Sequence, residues 1–390
     1  MNHNHMDEDT YNLFLDTLKR YVKERMVPAE NEVVEANEIP AHIIEEMQEL
    51  GLFGLNIAEQ YGGAGMSASQ YLNALTEMSW AAPAYRAIMA IGNGIVNTAL
   101  SKNGTPEQRE KWLPAIASGA VAAFAITEPG SGSDSAAMRS MAVKTADGYI
   151  LNGVKRYISN APFADVILVI ARTSTEDLPR NGHISAFLVP TDTAGVSIGK
   201  PDKKMGQQGA QIADVILEDV HLPVSALLGD QEGNGFQVAM NSLNNGRLSV
   251  AAASLGTSKR ALDSAIRYGM QRTAFGEQVT SFQLTQAKIA DSQADIYAME
   301  CMLRDAASKL DQGLDIRLEA ACVKMFASEA CGRIVDRVVQ IYGGAGYIQD
   351  YDAERFFRDA RLYRIFEGTT EIMQLVIART VLQQYEKGLV

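Results

Sequence analysis

The spacing of apolar positions changes twice along the chain and divides it into three zones. Up to about Ala120, apolar residues recur three and four positions apart, as they do in Tyr11–Val27, and this is the spacing of one helix face. Further helices of this zone are predicted at about Ala41–Leu50, Ser67–Ser79, Tyr85–Lys102 and from Thr105-Pro106 onward. The first zone is therefore predicted to be all-helical.

Apolar and polar positions alternate from about Val121 to Leu228, which is the spacing of β-strands. The dipeptides Asp147-Gly148 and Asn152-Gly153 are of the hairpin type, and they flank the apolar segment Tyr149–Leu151. Further strands, rich in β-branched residues, are predicted at Val166–Ala171, Ile184–Val189 and Val215–Leu217. This zone is predicted to form a compact antiparallel β domain.

Helical periodicity returns in the last zone, and no proline follows Pro223. Four long helices are predicted, over Val238–Tyr268, Leu284–Leu310, Leu318–Tyr342 and Thr369–Gln384. They are most simply arranged as a four-helix bundle. The predicted fold is mainly α with a central β domain: an N-terminal all-α domain (1–120), a middle β domain (121–228) and a C-terminal bundle (229–390).

The composition narrows the class of protein. With 390 residues, 47% of them hydrophobic and 21% charged, the chain is typical of a globular protein of two or three domains. A net charge of −12 argues against nucleic acid or an anionic membrane as the main partner, but allows an anionic small ligand where Arg and Lys gather locally. The three cysteines and five histidines lack the spacing of a metal site, so no metal is expected. The acidic N-terminus lacks the pattern of a signal or transit peptide, and a cytoplasmic location is expected.

One carboxylate near the C-terminus is a candidate for acid–base chemistry. Glu367 stands between Phe366 and Gly368, and apolar neighbours raise the pKa of a carboxylate towards the range of a general base. The same glutamate could instead be a solvated acid at a helix start, where the helix dipole favours acidic side chains. The local sequence leaves both interpretations open.

Two glycine-rich segments are candidates for ligand binding. The segment Thr127–Asp134 (TEPGSGSD) follows an apolar run, and its backbone N–H groups could hold a phosphate or a flat ring; an ordinary turn is the alternative. The segment Gly343–Gly346 lies between predicted helices and is more typical of a helix break. Neither segment fits the P-loop or the dinucleotide-binding pattern.

Arg86 has an unusual charge environment. No Asp or Glu lies between Glu77 and Glu107, so Arg86 has no acidic partner on its own predicted helix. Its neighbours are apolar. The guanidinium therefore needs a partner from elsewhere in the fold or from a ligand, or it extends along the protein surface to water.

Six motifs, in order and over essentially the whole chain, resemble the acyl-CoA dehydrogenase family. They are TEPGSGSD at 127–134, KRYISNA at 155–161, NNGRLSVAAASLG at 244–256, QRTAFG at 271–276, QIYGGAGY at 340–347 and FEGTTEI at 366–372. The resemblance implies FAD as cofactor, bound between the β domain and the bundle.

The resemblance also implies which residues contact FAD. The cofactor set is Phe124, Ile126, Thr127, Gly132, Ser133, Tyr157, Ile158, Ser159, Thr369 and Glu371. Most members have Trp and Thr at the positions of Tyr157 and Ser159. The positions that reach the FAD of a neighbouring subunit correspond to Arg272, Phe275, Gln283, Gln340, Gly343 and Gly344. An obligate dimer, usually within a homotetramer, is implied.

The resemblance makes Glu367 the catalytic base, which takes the α-proton of an acyl-CoA while flavin N5 takes the β-hydride and trans-2-enoyl-CoA forms. Fixed hydrogen-bond donors must stabilise the developing enolate, and in the family these are the N–H of the base and a flavin hydroxyl. Some branches carry the base at the position of Gly246, which cannot serve. The resemblance implies that Ser133, Asn244, Arg247 and Gly368 contact the substrate, and that an electron-transferring flavoprotein accepts the electrons.

The segment around Arg86 resembles glutaryl-CoA dehydrogenases, whose arginine meets the distal carboxylate of the substrate. The leading hypothesis is therefore a dicarboxyl-CoA such as glutaryl- or adipyl-CoA. Four alternatives remain: a short- or medium-chain monoacid acyl-CoA dehydrogenase, a decarboxylating or desulfinating enzyme, an oxidase, and a flavin-containing nucleic-acid-binding relative.

Overall fold

A computed structural model describes residues 6–176 and 181–388 of the protein. Its N-terminal zone is helical, as predicted, with α1 (Glu8–Tyr21), α2 (Glu30–Ala36), α3 (Ala41–Glu49), α4 (Ala68–Met78), α5 (Pro83–Ala90), α6 (Asn97–Asn103) and α7 (Pro106–Ala117). Helices α4 and α7 begin at capping boxes, in which Ser67 pairs with Gln70 and Thr105 pairs with Gln108.

The single helix predicted over Tyr85–Lys102 is interrupted. A wider π-helical turn, Ile91–Val96, joins α5 to α6. At Gly92 a Cβ would lie only 2.9 Å from the Ile116 Cγ2 atom, so glycine lets α7 approach closely. The apolar periodicity does not register this local change of pitch.

Seven strands among the described residues form one sheet, in the order β1-β4-β2-β3-β7-β6, with β5 on the other edge of β4. The strands are β1 (Ala122–Ala125), β2 (Met141–Lys144), β3 (Gly148–Ser159), β4 (Val166–Arg172), β5 (Ile184–Pro190), β6 (Val196–Ile198) and β7 (Ile212–Pro223). The sheet is not wholly antiparallel, because β4 runs parallel to β1 and to the start of β2. The β2–β3 hairpin lies between β1 and β4 in sequence, and it supplies the long connection that a parallel pair needs.

Only one of the two hairpin-type dipeptides makes a turn. At Asp147-Gly148 the Thr145 N–H donates to the Gly148 carbonyl at 2.8 Å, and the chain reverses. The prediction of a turn at Asn152-Gly153 is wrong: this dipeptide lies inside β3, where the pairing with β7 shifts register. The Asn152 side chain forms two hydrogen bonds with Asp219, so pairing with a distant strand outweighs the local turn preference.

The four long C-terminal helices are confirmed. They are α8 (Gly235–Gln271), α9 (Gln283–Asp311), α10 (Arg317–Tyr342) and α12 (Thr370–Glu386), with a small hairpin of β8 (Thr273–Ala274) and β9 (Glu277–Gln278) and an additional short helix α11 (Asp352–Ala360). No helix in the described part of the chain is long and apolar enough to cross a bilayer.

Polar contacts fix the three zones against one another. Glu30 of α2 is buried and forms ion pairs with Arg260 of α8 and Arg355 of α11. The Asn160 amide, just after β3, donates to the Ala87 and Ile88 carbonyls of α5 at 3.0 and 3.1 Å. The helix that carries Arg86 is therefore held directly against the β domain.

Candidate active site

A cavity of about 400 Å³ lies where the three zones meet. Its lining includes the predicted FAD residues Phe124, Ile126, Thr127, Gly132, Ser133, Tyr157, Ile158 and Ser159. It also includes the predicted catalytic and substrate residues Arg86, Arg247, Glu367 and Gly368. Residues that are far apart in sequence thus line one space.

The cavity is cationic although the chain is acidic. Among its described lining residues Glu367 is the only carboxylate, whereas four side chains carry positive charge: Arg86, Lys204, Arg247 and Arg379. This is the local gathering of cations that an anionic ligand requires. Lys204 and Arg379 were not predicted to line the site, because neither belongs to a recognisable motif.

The loop Thr127–Asp134 is anchored by a buried ion pair. The Lys155 ammonium of β3 lies 2.7 Å from Glu128 Oε1, and the Glu128 carboxylate also accepts hydrogen bonds from the Arg139 and Ser140 N–H groups. Burial opposes ionisation of Glu128, but Lys155 and these donors together hold its pKa below the ordinary value. Two of the sequence motifs therefore meet in a contact that fixes the shape of the loop.

Tyr157 lies at an irregularity in β3. The pairing with β7 is interrupted between Lys155 and Ile158, and Tyr157 has a positive φ of 58°. The side chain is 55% exposed, with the Arg156 guanidinium 4.9 Å from its ring centre. A strained backbone of this kind at a cavity wall is typical of functional sites.

Glu367 lies before α12 rather than in its first turn. The N-cap of α12 is Thr369, whose hydroxyl accepts a hydrogen bond from the Ile372 N–H at 3.3 Å. The acid of the first helical turn is Glu371, which is exposed and has a lowered pKa because it accepts from its own N–H and from Thr369. The helix-start interpretation therefore applies to Glu371 and is wrong for Glu367.

The carboxylate of Glu367 is buried in a polar but incompletely paired environment. Its Oε2 atom has no hydrogen-bond partner among the described residues. Burial raises the pKa of Glu367, while Arg86, Lys324 and Arg247 act in the opposite direction. Arg247 also donates weakly to the Glu367 carbonyl, at 3.4 Å, and to Asn244 Oδ1 at 2.7 Å.

Lys324 was missed in the sequence. It lies on α10, is wholly buried, and donates to the Gly368 carbonyl at 2.5 Å. The available signal was a lysine four residues from Ala320 and from Ser328, on the buried face of a predicted helix.

Arg86 is buried, with 5% of its surface exposed, so the interpretation that it extends to water is wrong. Its guanidinium donates to the Ser249 hydroxyl of α8 at 2.7 Å, and its Nε atom has no partner among the described residues. The Tyr71 hydroxyl of α4 is likewise buried without a partner there. Burial raises the pKa of Tyr71, against the effect of the nearby Arg86. Tyr71 and Ser249 were not predicted.

The residues predicted to reach a neighbouring subunit lie outside this cavity. Arg272, Phe275, Gln283, Gln340, Gly343 and Gly344 are all exposed. Phe275 is 98% exposed, the largest exposed fraction among the large apolar side chains of the described residues. Their contact with the FAD of a neighbouring subunit stays a prediction. The contact of Thr369 and Glu371 with FAD also stays a prediction. Within residues 6–176 and 181–388, no group of His, Cys, Asp or Glu side chains could hold a metal ion.

Three family models match the chain. Residues 8–120 match "Acyl-CoA dehydrogenase, N-terminal domain", residues 123–220 match the middle domain, and residues 233–382 match the C-terminal domain. The domain boundaries at residues 120 and 228 stay predictions.

Two relatives are similar over nearly their whole length. The chain is 38% identical to the 3-(aryl)acrylate reductase of Clostridium sporogenes, over 96% of this chain and 99% of the relative. It is also 38% identical to the caffeyl-CoA reductase-Etf complex subunit CarC of Acetobacterium woodii, over 91% of this chain and 93% of that subunit.

Two solved structures share the fold. Butyryl-CoA dehydrogenase from Megasphaera elsdenii superposes with a TM-score of 0.92 at 32% identity, covering 98% of this chain and 100% of that chain. A glutaryl-coenzyme A dehydrogenase in complex with glutaryl-CoA superposes with a TM-score of 0.91 at 30% identity, covering 98% and 97%.

Proposed function

The chain belongs to the acyl-CoA dehydrogenase family, and we propose that its substrate is an acyl-CoA whose acyl chain ends in an acid, such as glutaryl- or adipyl-CoA. The family consists of FAD-dependent oxidoreductases that act on CH–CH donors, and FAD is the cofactor.

The cavity residues fit FAD. The glycines of the loop Thr127–Asp134 face open space, since a Cβ at Gly130 or Gly132 would meet no atom within 4 Å. Thr127, Ser133 and Ser159 supply polar groups, and the half-exposed Tyr157 ring supplies a flat surface. When bound, FAD would supply the acceptor for the hydride that leaves the substrate β-carbon.

We assign the α-proton abstraction to Glu367. A thioester α-proton is weakly acidic, so the base must combine a raised pKa with a free oxygen, and burial together with the unpartnered Oε2 supports both. The Glu367 N–H also forms no backbone–backbone hydrogen bond among the described residues. We propose that it donates to the thioester oxygen as negative charge develops there.

The terminal acid is supported by one observation, the buried and unpaired donors around Arg86. The guanidinium Nε and the Tyr71 hydroxyl both lack acceptors within the described chain, and the Arg86 NH1 group uses only Ser249. Buried polar groups are normally paired, and these two lie within the electrostatic range of Glu367. A carboxylate has two oxygens, which match two such donors, and an alkyl chain end has none.

Substitution of Arg86 tests this substrate. In R86A, the KM for glutaryl- or adipyl-CoA should rise by about tenfold or more, since a charge-assisted hydrogen bond contributes about 1.5–3 kcal/mol. R86K is the matched control that keeps the charge without the forked geometry. Butyryl-CoA is the comparison substrate. Both substrates are assayed at a pH well above the pKa of Glu367, because the loss of Arg86 also raises that pKa. Equal losses for both substrates would contradict the proposal.

A short-chain monoacid is the second candidate, favoured by the similarity to butyryl-CoA dehydrogenase. The same panel separates the two, because the wild-type protein would then turn over butyryl-CoA and not glutaryl-CoA. The masses of the products also show whether the acyl group is decarboxylated.

We propose an electron-transferring flavoprotein as the electron acceptor, because the Acetobacterium woodii relative is named as part of a complex with Etf.

We also propose a homotetramer. Three large apolar side chains near the predicted subunit contact are strongly exposed: Phe275, Leu284 and Tyr347. Light scattering measures the molar mass in solution of the wild-type protein and of F275S. A monomeric wild type would contradict the tetramer.

A further inference from the structure

Lys324 is a buried cation that has no assigned role in the proposed reaction. Its side chain is 0% exposed, and its Nζ atom donates to the Gly368 carbonyl at 2.5 Å. Unlike Lys155, which pairs with Glu128, it forms no ion pair with a carboxylate of the described residues. Lysine is almost never fully buried without a partner, because desolvation of an ammonium is costly.

Two of the charged groups around Lys324, Glu367 and Arg247, line the cavity. Burial lowers the pKa of Lys324 to about 8, and Glu367 is the main group that counters this effect, with Arg247, Glu329 and Glu371 also within range. Glu329 already accepts from the Thr370 hydroxyl at 2.6 Å and from Arg364 at 3.4 Å. The three carboxylates Glu367, Glu329 and Glu371 all favour the ammonium form of Lys324.

Glu367 in turn is faced by cations from three helices. They are Arg86 of α5, Arg247 of α8 and Lys324 of α10, and the Tyr71 hydroxyl of α4 also lies within range. Arg86 is bound to Ser249, and Arg247 to Asn244. Lys324 forms its hydrogen bond with the Gly368 carbonyl and none with a side chain of the described residues.

Lys324 and Arg247 also hold two consecutive carbonyls of one strained turn. Glu367 and Gly368 both have positive φ, 53° and 99°. Arg247 donates to the Glu367 carbonyl and Lys324 to the Gly368 carbonyl. A non-glycine residue such as Glu367 keeps this conformation only where its surroundings impose it.

We propose that Lys324 is a positioning residue for proton abstraction: it holds the Glu367–Gly368 turn through the Gly368 carbonyl and supplies positive charge that favours the ionised carboxylate of Glu367. The substrate proton can be taken up only by the ionised carboxylate. Lys324 itself is not among the described residues that line the cavity. The inference rests on the proposed role of Glu367 as base.

Two variants separate the charge from the hydrogen bond. K324Q retains a donor for the Gly368 carbonyl but no charge, and K324M removes both at similar volume. The first measurement is the pH dependence of kcat/KM for the purified flavoprotein, with butyryl-CoA or the better dicarboxyl substrate. The second is the number of protons exchanged on binding acetoacetyl-CoA, from calorimetry in buffers of different ionisation enthalpy. Acetoacetyl-CoA offers an acidic α-proton, and this measurement requires no turnover.

In both variants the acid limb of kcat/KM should move to higher pH by about one unit, because loss of a nearby cation raises the pKa of a carboxylate. At pH values below the pKa of Glu367, kcat should fall about tenfold, with KM changed by less than about threefold. The proton exchange on binding acetoacetyl-CoA should shift along the pH axis in the same direction. K309M is the matched control, because Lys309 is partly exposed and pairs with Asp305 and Glu319, so its profile should equal that of the wild type.

A wild-type pH profile in K324Q would overturn the charge role, and wild-type profiles in both variants would overturn the inference altogether. If K324M fails to fold, K324Q still decides. Failure of the underlying assignment looks different: E367Q would then retain activity, and the wild type would lack an acid limb that depends on Glu367.

Discussion

The Oε2 atom of Glu367 occupies the space in front of Gly246, where a Cβ atom would overlap it. The position of the carboxylate therefore depends on the absence of a side chain at Gly246 of α8. Gly246 also lies next to Arg247, which donates to the Glu367 carbonyl. One segment of α8 thus both makes room for the carboxylate and binds its backbone.

We expect G246A to displace the Glu367 side chain. The loss in kcat should be about tenfold or more, because a misplaced base loses its alignment with the α-proton. Steady-state kinetics measures it. G199A is the control, since a Cβ at Gly199 would make only ordinary contacts, the nearest at 3.5 Å. A G246A enzyme with wild-type kcat would mean that the carboxylate acts from a different position.

E367Q should lower kcat by about 10²–10⁴-fold, the usual contribution of a general base. The same variant should be more stable than the wild type at neutral pH. Burial raises the folded-state pKa of Glu367 above its unfolded value, so stability associated with this group is lost as pH rises through the folded pKa. The gain in Tm for E367Q over the wild type should be small near pH 4 and larger at pH 8. A gain independent of pH would contradict this account.

Y71F should weaken binding of a dicarboxyl-CoA and leave butyryl-CoA nearly unchanged. The Tyr71 hydroxyl has no acceptor among the described residues, and a substrate carboxylate would supply one. We expect a rise in KM of about three- to tenfold, since a hydrogen bond contributes about 0.5–1.5 kcal/mol. A double-mutant cycle with R86Q measures whether both groups bind the same carboxylate. Additive effects would indicate two independent contacts.

K155M should destabilise the protein by about 3–5 kcal/mol, because it leaves the buried Glu128 carboxylate without its cation. The loop Thr127–Asp134 should then hold FAD less tightly, which dialysis followed by flavin absorbance measures. The double variant E128Q/K155M should recover part of the stability, since neither charge remains. If the double variant is worse than K155M, the pair does not act as a unit.

The stability that the Glu128–Lys155 pair contributes should depend on pH. The pKa of Glu128 is lowered in the folded state, so the contribution is present above the unfolded pKa and is lost as the pH falls through the folded value. Thermal unfolding between pH 3 and pH 7 gives the Tm of the wild type and of the double variant. The difference between the two Tm values should shrink as the pH falls.

The sequence alone determined the features that depend on local spacing. The three zones, the four long helices and the position of most strands follow from periodicities of 3.6 and 2, which neighbouring residues set. The motifs also singled out Glu367, and the missing acids around Arg86 marked it as unusual. These are short-range properties, and the structure agrees with them.

Only the tertiary structure decided which of these residues meet. Asn152-Gly153 has the local preference of a turn but lies at a register shift of β3, because β7 pairs with it and Asp219 lies 67 residues away. Lys324 contacts Gly368 across 44 residues, Arg247 contacts Glu367 across 120, and Arg86 contacts Ser249 across 163. Contacts at such separations arise from the packing of whole helices. The helix that a residue occupies can be predicted from its neighbours, but the charge or hydroxyl that faces it depends on the complete fold.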